Sequence, residues 1–163
     1  MTQEPRPLPD RFTVAVLMER RRGVTQWQPY VWAPIGLVAG AVAEGPVGVP
    51  LEMPADGDAI RELWRGFEVR LHRDEVESYY HNLVSPQPLG FVIMREGESD
   101  RRLPALVTLC FDEANAYAEA GEQIEPVPMP PELVQWLEQF VVENYVPERR
   151  TRRERRAWKE ETP

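Results

Sequence analysis

The chain has 163 residues, of which 42% are apolar, 17 are proline and one is cysteine, and it carries a net charge of −8. That length holds one domain with a sizeable core, and its apolar runs fall far short of the ~20 residues that span a bilayer, so no membrane span is expected. The lone cysteine, Cys110, excludes an internal disulfide and a thiolate metal cluster, and makes a reducing cytoplasmic setting the expectation.

The charge is unevenly spread. Residues 147–163, PERRTRRERRAWKEETP, sum to +3 and the remainder to −11. The acidic body repels nucleic acid, whereas the arginine-rich end attracts polyanions. The opening MTQEPRPLPDR lacks the charged region and apolar stretch of a secretory signal. The paired arginines of ERRRG follow acidic Glu19 and precede no apolar segment, which argues against a twin-arginine address. The pattern divides the chain into a flexible lead over 1–11, a single globular domain over 12–146 and a disordered arginine-rich tail over 147–163.

In chain order, FTVAVLMER (12–20) is apolar, β-branched and short, which predicts a buried strand. GVTQ predicts a turn, and WQPYVWAPIGLVAG (27–40) a second strand. Pro29 and Pro34 cannot donate to a ladder on both sides, which sends that strand to a sheet edge. Residues 40–58 are rich in Gly and Pro and predict a loop with one short extended piece. LWRGFEVRLHR (63–73) admits a helix through Ile60, Leu63, Trp64 and Phe67. Alternation of Leu63, Phe67, Val69 and Leu71 against Glu68, Arg70 and His72 favours a strand.

DEVESYYHNLV (74–84) changes period: Val76, Tyr79, Tyr80, Leu83 and Val84 predict a helix, with Asp74 and Glu77 as a capping-box-like start and Pro86 and Pro88 as its stop. LGFVIMRE (89–96) and LPALVTLCF (103–111) flank the charged turn GESDRR and predict an antiparallel hairpin. Asp112 is the expected cap of a short helix over EANAYAEA, closed by Gly121. EPVPMPP (125–131) reads as a stiff extended connector. Pro131 opens the last helix, ELVQWLEQFVVENY, whose stripe of Leu133, Trp136, Leu137, Phe140 and Val141 is expected to pack on the sheet. The expected fold is α+β: one domain, a mainly antiparallel sheet, about three helices, and a basic tail after the last of them.

No motif fixes a reaction. His72 and His81, with Asp74, Glu75 and Glu77 between them, present no HxH or HxxxH spacing, so no metal site is expected. Cys110 sits ahead of a helix start, where a thiol can ionise more easily, but LVTLCF reads as core, and the structural role is preferred. GAVAEGPVG lacks the lysine–serine/threonine ending and following helix of a phosphate loop. No cofactor and no catalytic residue is assigned.

The most informative stretch is RRRGVTQWQPYVWAPIG (20–36), with three arginines, a turn-like glycine and two tryptophans. On a strand, Tyr30 and Trp32 share one face and Trp27 and Val31 the other, with Arg20, Arg21 and Arg22 across the turn within reach for stacking. Such residues are enriched at interface hot spots; equally, the indoles could be core and the arginines a rim over them. Both roles are expected together: a hairpin rim whose aromatics anchor the fold and whose arginines face a partner. In the tail, Arg149, Arg152, Arg153 and Arg156 line one side of a helix if one forms, while Arg150 and Arg155 complete the pairs. That strip suits phosphates or an acidic protein; the acidic body and the lack of a recognition motif disfavour nucleic acid.

The stretches VAVLMERRRGVTQWQPYVW, LHRDEVESYYHNLVSPQPLGFVIMR and VPMPPELVQWLEQFVVENYVPE resemble a family of small bacterial proteins of unknown function, described mainly from proteobacteria, over residues 12–156. The resemblance implies a neighbourhood beside genes of molybdenum-dependent formate dehydrogenases. Some members carry a molybdopterin guanine dinucleotide biosynthesis label, yet the nucleotide loop and metal-binding aspartates such an enzyme needs are missing here. The expectation is a non-catalytic accessory protein that contacts a formate dehydrogenase subunit or maturation factor. The alternatives are nucleic-acid binding by the tail and an enzyme whose site is assembled across the fold.

Overall fold

A computed structural model of the chain describes residues 10–97 and 101–145. One antiparallel sheet holds β1 (Arg11–Thr25), β2 (Gln28–Ala39), β3 (Leu51–Met53) and β4 (Ile60–Arg70) in the order β2-β1-β4-β3. The other holds β5 (Leu89–Glu96), β6 (Arg102–Thr108) and β7 (Gln123–Pro128) in the order β6-β5-β7, again antiparallel. Three helices follow their expected places: α1 (Val76–Val84), α2 (Phe111–Glu119) and α3 (Pro131–Asn144). The α+β class holds.

Strand β1 explains its own unbroken apolar run. It lies between β2 and β4, and both its faces are covered. Val14, Val16 and Met18 enter the main core, while Ala15 and Leu17 meet Leu63 and Ala43 on the opposite side. The main core joins the sheets through Leu37, Val92, Met94, Val107 and Val127 and is closed by α3, whose predicted stripe is buried at all five positions. Each such side chain contributes roughly 2 kcal/mol on burial. Phe12 stacks on Trp136 at 5.2 Å between centroids, and Tyr79 meets Phe140 edge-on at 5.9 Å, so α1 and β1 both lean on this helix. Pro131 stands in its first turn. Gly121, at φ +91°, follows α2, and the Glu122 N–H reaches back to the Tyr117 carbonyl.

Prolines mark the edges. β2 is an edge strand, as its two prolines require, and it gains an extra residue between its pairings Met18–Pro34 and Leu17–Gly36. Edge strand β6 does the same beside Pro104, between Met94–Pro104 and Ile93–Leu106.

Five expectations are corrected. The chain does not turn at GVTQ: β1 runs on to Thr25, and the turn is Gln26–Trp27. The proline-rich stretch at 125–131 is not a mere connector. Its first part is β7, because Pro126 and Pro128 stand two residues apart and an edge strand can aim both donor-less nitrogens at its open side. Leu63 does not share a face with Val69 and Leu71. Arg65 and Gly66 together oppose Ala15 as a bulge, which shifts the alternation and turns Trp64 inward and Leu63 outward. The cap of α2 is Cys110, whose sulfur accepts the Glu113 N–H at 3.4 Å, and Asp112 lies in the first turn.

The fifth concerns α1. No capping box forms; a 3-10 turn, Arg73–Glu75, leads into the helix without a side-chain cap. Tyr79 is buried and Val76, Tyr80 and Leu83 pack against the core as expected, but Val84 is 60% exposed, and Ser78 and Asn82 are buried beside Tyr79. A polar residue is buried there because strand β6 ends early. Pairing of β5 with β6 stops at Phe91–Thr108, and Asn82 takes the vacated place beside Leu89. It accepts the Leu89 N–H (2.9 Å) and donates to the carbonyls of Leu89 (2.8 Å) and Leu109 (3.0 Å).

Candidate functional site

The inner face of the first sheet changes character along its length. Aliphatic pairs, Val14 with Ala39 and Val16 with Leu37, give way to Met18 with Pro34, then Arg20 with Trp32 and Arg22 with Tyr30. Strand β4 pairs with β1 only as far as Arg20–Ile60, so beyond Arg20 the two strands β1 and β2 continue alone as an arm. On it Val24, Tyr30 and Val31 are exposed, and Trp27 at the turn is 91% exposed. Trp27 therefore anchors nothing in this fold. Gly23 is required in the arm, since a Cβ there would run into the Gln28 carbonyl.

The predicted arginines go three ways. Arg20 stacks over Tyr30, 4.1 Å from the ring centroid. Arg21 turns to the outer face and pairs with Glu19, which also receives Arg61 at 2.8 Å. Arg22 reaches Asp58 at 2.7 Å, both largely exposed, a pair that contributes well under ~1 kcal/mol. Trp32 is covered by a residue that the sequence did not point to: Arg101, 3.7 Å above its ring and 5.8 Å from Trp64, held from behind by Glu62. No local pattern links positions 32, 62 and 101; only its place in the charged GESDRR turn hinted at Arg101. Arg149, Arg150, Arg152, Arg153, Arg155 and Arg156 lie outside the described residues.

Between the arm's inner face and the second sheet lies an open cleft of about 530 Å³. Arg20 of β1 and Gln28, Tyr30 and Trp32 of β2 form one wall; Arg101, with Arg102 of β6 and Gln123 of β7, forms the other. Among the described residues no carboxylate lines it.

Glu19 is 5% exposed. Its hydrogen bonds from Arg21, then Arg61, hold its carboxyl below the ordinary 4.5 although burial opposes them. A depressed folded value means that the stabilisation is complete above the unfolded value and is lost as pH falls through the folded one. Glu19→Gln is thus expected to cost about 1.5 kcal/mol at neutral pH. In urea titrations at stepped pH, the gap to the wild type narrows below about pH 4; a gap independent of pH would show the carboxylate to be unimportant.

A second cleft, of about 550 Å³, is acidic: Asp74, Glu75, Glu77 and Asp112 surround it with His81, Ser78 and Asn82. His81 lies 3.7 Å from Glu77 on the exposed side of α1. Cys110 is sealed behind this cleft. Burial first, and Glu75 as well, push its thiol up, against hydrogen bonds from Ser78 and the Glu113 N–H. A protonated, inaccessible thiol beside a carboxylate is no nucleophile. Tyr79 is likewise kept neutral by burial, accepting the His72 N–H and donating to Glu75. Among the described residues no three His, Cys, Asp or Glu side chains group as metal ligands, and no helix is long and apolar enough to cross a membrane.

No curated protein and no solved structure matches the chain. A family of proteins of unknown function, DUF3305, matches residues 13–155, a span that takes in the arm and both walls of the arginine-lined cleft. The chain belongs to the DUF3305 family.

Proposed function

We propose that this protein is a cytoplasmic, non-catalytic accessory factor that acts by contact, with the hairpin arm as its principal surface and the arginine-rich tail as a second. One observation carries the reading. The arm projects beyond β4 and exposes Val24, Trp27, Tyr30 and Val31 while making no apolar contribution to the core at its tip. Exposed apolar groups gathered on an unpaired two-stranded arm are costly in water unless something covers them. The partner is a subunit or maturation factor of a formate dehydrogenase-type molybdoenzyme; this part rests on the gene neighbourhood that the resemblance implies.

Placing a photo-crosslinking benzoylphenylalanine at position 27 in the native host tests it. The expected adduct, identified by mass spectrometry, contains a formate dehydrogenase subunit or maturation protein. Trp27→Ala is expected to leave unfolding free energy within about 0.5 kcal/mol of the wild type and to weaken the partner complex by about 30-fold or more. Adducts with unrelated proteins only, or none, would refute the assignment.

A further inference from the structure

The cleft behind the arm is the opposite in composition of the acidic cleft beside α1. In a chain with 27 acidic side chains, three arginines converge there and, among the described residues, no carboxylate lines it. Two of the three are pre-positioned. Arg20 lies over the Tyr30 ring, and Arg101 is fixed between the Trp32 ring and Glu62. Among the described residues nothing engages the terminal N–H groups of Arg20, which can meet a carboxylate, whereas Arg101 already gives one of its own to Glu62. Arg20 pairs with no carboxylate among the described residues, and its Nε–H, like that of Arg101, is shielded from water without a protein acceptor. Arg102 stands on the rim with Glu96 at 4.0 Å, too loose a pair to hold it.

We infer that this cleft binds an extended acidic segment of the partner protein. Three features select a peptide over a small anion. β2 is an edge strand, so its backbone groups turned away from β1 have no ladder partner and can meet an added strand, except at Pro29, which has no N–H to offer. Residues 28–32, all but Pro29 lining the cleft, run for roughly 16 Å, the length of a five-residue strand. The amides of Gln28 and Gln123 line the cleft with donors and acceptors, as a peptide backbone needs and a lone phosphate does not, although one Gln123 N–H is already given to Glu125 at 2.6 Å. Glutamates at alternate positions of the segment would meet the arginines, and the apolar side chains between them would rest on Tyr30 and the arm.

This inference rests on the arm being a contact surface, and its test is separable from that reading. The probe is a fluorescein-labelled peptide, Glu-Thr-Glu-Tyr-Glu-Thr-Glu, titrated into the full-length protein and followed by anisotropy. Its dissociation constant is expected on the order of tens of micromolar, weakening as salt rises. Arg20→Gln and Arg102→Gln should each weaken it by about tenfold. Arg102 is on the rim, so its variant keeps the fold and secures the test if Arg20→Gln does not. A lysine-for-glutamate peptide binding as well, indifference to both substitutions, or displacement by millimolar inorganic phosphate would overturn the proposal. If the peptide fails while position 27 still crosslinks to the dehydrogenase machinery, the tip alone is the contact surface. If the peptide binds and those crosslinks are absent, the cleft stands and the assigned partner falls.

Discussion

Replacement of Asn82 by leucine is expected to lower the unfolding free energy by about 3 kcal/mol and the melting temperature by about 9 °C. Leucine matches the amide in bulk, so little packing is lost. What is lost is a substitute for a strand. Leu89 sits at the start of β5, on the side from which β6 has already departed into α2, and across the sheet its partner in β7 is Pro128, which has no N–H to offer. Both of its backbone groups, together with the Leu109 carbonyl, depend on the Asn82 amide. Leucine leaves three buried backbone groups unpaired, and each costs of order 1 kcal/mol or more.

A second variant, Asn82→Asp, separates hydrogen bonding from shape. Its ionised carboxylate still accepts the Leu89 N–H but sets a charge against two carbonyl oxygens. The folded pKa of that carboxyl is therefore raised, and the variant is least stable, relative to the wild type, well above the unfolded aspartate value near 4. On acidification the neutral carboxyl donates to one carbonyl and the deficit shrinks. Chemical denaturation of both variants across that range reads the difference. An Asn82→Leu protein within 1 kcal/mol of the wild type would show that the amide is not the bridge between α1 and β5.

What was legible in the sequence was what neighbouring residues decide among themselves. The α3 stripe repeats at helical spacing, Pro131 and Gly121 punctuate helix ends, and two prolines keep β2 at an edge; each needs only a few adjacent positions. Three of the misses share one cause, contact across distance. Asn82 has no place in the apolar pattern of α1, and its role emerges only where β6 leaves β5 early. The proline-rich stretch reads as a connector until β5 is found to lack a neighbour on that side. Arg101 reads as turn decoration until the fold carries it over Trp32. The candidate site was half visible for the same reason: residues 20–32 announce themselves by composition, but the opposite wall of the cleft comes from residues 101, 102 and 123.

The same long-range logic makes Gly66 a backbone position where one added methyl group is costly. It holds φ +83° within the β4 bulge, a region that costs an L-residue about 1–2 kcal/mol. A Cβ there would also stand 2.9 Å from the Gly45 carbonyl oxygen and 2.9 Å from the Val47 side chain, because the 45–47 loop crosses directly over it. Gly66→Ala is therefore expected to cost about 3 kcal/mol, strain and overpacking together. The loss should not stay local. The bulge is what turns Trp64 to the inner face, where it meets the core and lies 5.8 Å from the Arg101 guanidinium. Relieving the strain by straightening β4 would rotate Trp64 outward, so the near-ultraviolet circular dichroism of the folded variant should change along with its denaturation midpoint. An alanine variant with wild-type stability would show that neither the positive φ nor the 45–47 loop constrains this position.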